Sequence, residues 1–207
     1  MTITEITEWI SAIKEIIIGL SAVLATIFAY IGLNTWRKEL KGKAEYQLAK
    51  DVLKSVYKVR DAFHHVRNPA IFAYEYPEEM RDYSGNLKPE KDYEGLHYVY
   101  EKRWEKMNEA FKELEEHHLN AQVEWGPEFQ NVIINLRSCR AELLVEIQRM
   151  LDEKKNPRRV IRDEESMEKT FSILYDRGSN KDFEKFTPKI NAAVQESEVW
   201  LRPHIKK

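Results

Sequence analysis

From Ile16 to Leu33 the chain carries no charge and almost no polarity, and the run stops abruptly at Asn34, Thr35, Trp36, Arg37 and Lys38. Eighteen residues in a helix extend about 27 Å, close to the hydrocarbon thickness of a bilayer. A cleaved signal peptide would begin with a basic segment and end at a small-residue cleavage site. Here Glu5, Glu8 and Glu15 precede the run against a single Lys14, and no convincing A-x-A site follows. A core helix can also be apolar all round. The length, the absence of charge and the basic edge favour a membrane span.

Beyond the span the pattern changes to stripes at helical spacing. The first covers about Thr35 to Asn68, with Leu48, Val52, Val56, Phe63 and Val66 in line, Gly42 as a candidate hinge and Pro69 as its end. An irregular stretch to about Asp92 follows, holding Pro69, Pro77, Gly85 and Pro89 with Phe72, Tyr74, Tyr76 and Tyr83. A second helix, about Tyr93 to Val123, carries Leu96, Tyr100, Trp104, Met107, Phe111, Leu114 and Ala121, and Gly126-Pro127 breaks it. A third, about Glu128 to Glu153, carries Phe129, Val132, Leu136, Leu143, Ile147 and Met150. A fourth starts near Asp182 or Thr187, with Pro188 suited to its first turn, and ends at Pro203. Between them, Glu164–Tyr175 reads as a short helix or Phe171–Tyr175 as a strand.

The fold class is therefore all-α: an N-terminal transmembrane helix in segment 1–36, then an antiparallel bundle of about four helices in 37–207. Up-and-down order puts the 69–92 and 154–162 loops at one end. The Trp125 turn and the tail with His204 fall at the other, beside the membrane.

Orientation follows the basic residues flanking a span. Lys14 stands alone on one side, whereas Arg37, Lys38, Lys41, Lys43 and Lys50 crowd the other, which places the large domain in the cytoplasm. Trp36, Arg37, Lys38, Lys41 and Lys43 form the expected membrane interface, where each cation near anionic headgroups contributes roughly 1 kcal/mol. A heptad-like seam passes through the span at Ile10, Ile13, Ile17, Leu20, Leu24, Ile27 and Ile31. Ile at both seam positions leans toward trimers or larger assemblies. Ser21, Ala25 and Ala29 offer a second, small-residue face for close helix approach.

Thirty-three basic and 35 acidic residues nearly cancel, so no strong overall field recruits nucleic acid. Cys139 is the single cysteine, which excludes an intramolecular disulfide, and its spacing with Val132, Leu136 and Leu143 makes it a buried, inert thiol. Lys154, Lys155, Arg158, Arg159 and Arg162 make a basic loop that fits a cytosolic protein or a phosphate-bearing nucleotide; neighbouring acids can equally balance it in solvent.

The histidine pairs His64–His65 and His117–His118 suggest carboxylate-x-x-His ligation, but in an up-down bundle His64 and His118 stand roughly 30 Å apart. No metal and no cofactor is expected. Arg60 and His65 match the R-x4-H spacing of helical ribonucleases, although about 140° of helical turn separates them. No other motif argues for catalysis.

The stretch Thr35-Trp-Arg-Lys-Glu-Leu-Lys-Gly-Lys-Ala-Glu-Tyr-Gln-Leu-Ala-Lys50, with Val59-Arg-Asp-Ala62, Val66-Arg-Asn-Pro69 and Leu201-Arg-Pro-His204, resembles an uncharacterised family of bacterial proteins. Through these short motifs the likeness covers most of the chain. It implies one N-terminal span in the bacterial inner membrane and a helical cytosolic part, and it transfers no function. The expectation is a membrane-anchored, self-associating helical scaffold or membrane effector, by analogy one of stress or phage defence, engaging a cytosolic partner. A binding module for a nucleotide signal is the alternative, with a helical ribonuclease behind it.

Overall fold

The computed structural model describes residues 3–156, 164–176 and 185–205. Five α-helices account for most of them: α1 (Ile3–Val66), α2 (Asp92–Trp125), α3 (Ile134–Lys155), α4 (Glu164–Leu174) and α5 (Phe186–Ile205). Among the described residues there is no strand, only an isolated bridge between Arg81 and Leu87. Residues 164–174 therefore settle as helix, and the strand alternative for Phe171–Tyr175 falls. Acidic Glu164 and Glu165 in the first turn favour that choice through the helix dipole.

The chain divides into two compact units, Met1–Tyr46 and Gln47–Lys207. The first is helical throughout its described part, and Gly42 lies inside α1 rather than at a break. It contains one segment long and apolar enough to cross a membrane, with a mean hydropathy of 2.4 and none of it buried.

The second unit has its own core. It starts at Ala49 and takes in Val52, Val56 and Phe63 of α1, Met107, Phe111 and Leu114 of α2, Leu136, Cys139 and Leu143 of α3, and Ile190 and Leu201 of α5. Phe63 lies at its centre, edge-on to Phe111 at 6.2 Å and to Phe186 at 6.5 Å. Polar pairs fix the register around this core. Lys58 meets Glu113, and Arg103 meets the carbonyl of Asn68. Glu115 pairs with Arg137, Asn108 with Arg140 and Asp92 with Lys154. Along the third seam, Glu142 pairs with Lys189 and Asn135 with Glu196.

Local chemistry sets the boundaries. Asn68 precedes Pro69 and accepts the Ala70 N–H on its side chain at 3.0 Å, turning the chain out of α1. Gly126, at φ 87°, ends α2 in a conformation that disfavours any side chain. Pro127–Asn131 then form a 3-10 turn, so the α-helical part of the third element begins later than its apolar stripe suggests. Pro203 does not end α5 as expected. It sits in the last turn, where solvent can satisfy the carbonyl its ring leaves free. His204 stays helical because its ring packs on Trp125 at 4.6 Å and Trp200 at 4.9 Å.

One buried side chain joins three elements. Arg67, fully buried, follows the last residue of α1. Its Nε donates to the Ile173 carbonyl at 2.8 Å, and its Nη2 donates to the carbonyls of Ser172 at 2.9 Å and Tyr175 at 3.1 Å. Its Nη1 donates to the Thr187 hydroxyl at 2.7 Å. The guanidinium thus closes the C-terminal end of α4, where free carbonyls concentrate partial negative charge, and holds the start of α5. Its plane also faces the Phe186 ring at 5.0 Å.

Removing it strands these buried acceptors. Arg67→Ala is expected to destabilise the second unit by about 3 kcal/mol or more. Arg202→Ala, on the exposed face of α5, is expected to leave the unfolding midpoint unchanged. Denaturant unfolding of the full chain in detergent, followed by helical circular dichroism, checks both.

Candidate functional site

The loop after α1 is held by a second buried arginine. Arg103, only 3% exposed, projects from α2 and donates to the carbonyls of Asn68 and Ala70, each at 2.6 Å. Its Nε and Nη2 also grip both oxygens of Glu75, at 2.8 and 2.9 Å. The same Glu75 accepts the backbone N–H of Phe72 at 2.9 Å. One guanidinium and one carboxylate therefore fix the backbone from Asn68 to Glu75, a segment with little regular structure of its own. Burial would raise the Glu75 pKa. The Arg103 hydrogen bonds, the Phe72 N–H and the Arg103 charge outweigh it and hold the carboxyl below its ordinary value of 4.5.

The lock leaves two rings outside. Phe72 and Tyr74 stack with centroids 5.5 Å apart and planes within 5°. They remain 48% and 76% exposed. A groove of about 380 Å³ runs between this pair and α2, lined among others by His65, Phe72, Tyr74, Tyr98, Lys102 and Lys106. The Lys102 ammonium lies over the Tyr98 ring at 5.9 Å and bonds Glu105 at 2.7 Å. Among the described residues Lys106 has no hydrogen-bond or ion-pair partner. Burial, together with the charges of Lys106 and Arg103, lowers the His65 pKa from 6.5, so the imidazole is neutral at pH 7 and keeps one donor and one acceptor.

The candidate residues read from the sequence are distributed as follows. His65 lines this groove, whereas Arg60 bonds Asp61 at 2.9 Å and covers the Tyr57 ring at 5.0 Å. Arg60 does not line the groove that His65 lines. Lys154 pairs with Asp92 at 2.6 Å and Lys155 lies over Tyr93 at 5.6 Å, so both cations are engaged by the start of α2. Arg158, Arg159 and Arg162 lie outside the described residues. In the first unit Trp36, Arg37, Lys38, Lys41 and Lys43 are exposed on α1, as are Ile13, Ile17, Leu20, Leu24, Ile27 and Ile31. The Ile10 side chain lies outside the described residues.

The histidines have separate settings. His64 bonds Asp176 at 2.6 Å, and His118 is buried against the Phe129 carbonyl at 3.2 Å. Among the described residues no three His, Cys, Asp or Glu side chains come together as a metal site. Cys139 is fully buried, and burial pushes its thiol pKa up, away from the reactive thiolate.

No family model matches the chain, and no curated protein or solved structure matches it, in agreement with a family from which no function transfers.

The Arg103–Glu75 lock carries a pH signature. A carboxyl whose folded pKa is depressed adds stability above its unfolded value, and loses it as pH falls through the folded one. The loop is therefore expected to hold at neutral pH and to loosen progressively below about pH 4.5. Glu75→Gln is expected to flatten that transition and to cost about 1–3 kcal/mol at pH 7. Tyrosine near-ultraviolet dichroism across an acid titration reports both.

Proposed function

We propose that this chain is a membrane-anchored helical module, inserted once into the bacterial inner membrane with residues 37–207 in the cytoplasm. The observation that carries the reading is the apolar segment of α1, which has a mean hydropathy of 2.4 and no buried residue. An aqueous surface of that size and composition is not tolerated by a soluble monomer. A bilayer is the solvent that suits it.

The basic edge at Arg37, Lys38, Lys41 and Lys43 supports the orientation, since Lys14 alone opposes it. In the cytoplasm the second unit acts as an antiparallel bundle of four long helices. The registers of its polar pairs support this: 58 with 113 and 68 with 103, 115 with 137 and 92 with 154, 142 with 189 and 135 with 196. The span also serves as the self-association element, its Ile seam bringing three or more copies together. The assembled module works as a scaffold or membrane effector that engages a cytosolic partner. A role in stress or phage defence extends the reading by analogy of architecture.

Two measurements test it in cells and in detergent. A C-terminal green fluorescent protein fusion is expected to fluoresce and a C-terminal alkaline phosphatase fusion to stay inactive; the reverse pair would place the module outside. The mass of the full chain in detergent is expected to correspond to a trimer or larger. Joint replacement of Ile17, Leu20 and Leu24 by Ala is expected to lower it to one copy, and a monomeric wild type would reduce the span to a tether.

A further inference from the structure

The groove beside α2 has a composition that packing alone does not require. Phe72 is half exposed and Tyr74 mostly exposed, while Arg103 and Glu75 hydrogen-bond the backbone that carries them. A solvent-facing, stacked aromatic pair on a hydrogen-bonded backbone is a stacking platform that lowers the ordering cost of binding. A third planar ring can extend the stack, since offset stacking at such spacing is favourable for any aromatic face.

Charge decides what that third ring carries. Among the described residues the one acid that lines the groove, Glu75, is bound on both oxygens by Arg103. Among the described residues, the cation facing the space without an ion-pair partner is Lys106. Lys102 stands beside it, bonded to Glu105 in a pair whose side chains are about half exposed. Exposed pairs of this kind contribute roughly 0–1 kcal/mol, so Lys102 can turn to a stronger anion with little loss. His65, neutral at pH 7, adds an uncharged hydrogen-bonding group. A space of about 380 Å³ falls at the small end of ligand pockets, a size suited to one planar base with its sugar and phosphate.

We propose that this groove binds a nucleoside monophosphate, with the base on the Phe72–Tyr74 stack and the phosphate at Lys106 and Lys102. The site is distinct from the basic 154–162 loop, whose Lys154 and Lys155 already serve Asp92 and Tyr93. It stands independently of membrane anchoring, because all of its residues lie in the second compact unit. Binding needs both halves of the ligand: stacking is tolerant of base identity, and the ammonium groups recognise the phosphate as point charges.

Titration calorimetry on the full chain in detergent tests this with AMP, GMP, CMP and UMP, and with adenosine and inorganic phosphate as the separated halves. At least one monophosphate is expected to bind more tightly than either half. Tyr74→Ala and Lys106→Ala, both at exposed positions, are each expected to weaken it roughly tenfold. Lys106→Arg is expected to retain binding. Absence of heat with all four monophosphates would overturn the proposal, as would affinity unchanged in both alanine variants. Binding of an eight-residue single-stranded RNA without binding of any monophosphate would also overturn it, and would assign the platform to an RNA chain.

Discussion

Eighteen consecutive residues that neither carry charge nor find protein to cover them impose the main constraint on this molecule. Burying a large aliphatic side chain is worth about 1.5–3 kcal/mol, and the Ile16–Leu33 stretch forgoes that gain in every side chain it exposes. The second unit must then fold without their help, and it does so with a core that begins at Ala49. A long helix can serve both purposes because its stripe changes along its length. It is apolar on all sides from Ile16 to Leu33, and one-sided from Val52 to Val66, where α2 and α5 supply partners.

Inside the second unit, two arginines do what regular structure cannot. Asn68 and Ala70 after α1, and Ser172, Ile173 and Tyr175 at the end of α4, offer backbone carbonyls that the two arginines satisfy, as buried carbonyls require. Arg67 and Arg103 each present several donors in a fixed plane, which lets one side chain serve three or four acceptors. Lysine could not match that geometry. The result is a defined end to the bundle, with the Phe72–Tyr74 platform set on one side of it by Arg103 and the α4–α5 junction set on the other by Arg67. The exposed loop is thus tied down by one buried guanidinium, Arg103, and its partner Glu75.

Much of the fold was legible because it rests on periodicity. The stripes Val52–Val66, Tyr100–Leu114 and Leu136–Ile147 name buried positions, and Pro69 and Gly126 mark the stops. The positions that eluded sequence reasoning depend on long-range chemistry. Pro203 looked like a helix end, yet Trp125, 78 positions earlier in the chain, holds His204 in the last turn. Arg67 stood in a quoted motif, Val66-Arg-Asn-Pro69, without any sign that its partners lie more than 100 residues away. Arg103 follows Lys102 in a charged helix, and only its place between Tyr100 and Met107 on the buried stripe hinted at its role. The groove follows from that one contact, since nothing in the order of residues brings Tyr74 alongside Lys106.

The proposed anchoring requires the apolar segment of α1 to lie in a bilayer. Washing membranes of expressing cells with alkaline carbonate, which strips proteins held only by surface contacts, tests that claim most directly. The full chain is predicted to remain with the sedimented bilayer. Its release into the supernatant would contradict the account, and the apolar segment would then have to be covered by protein.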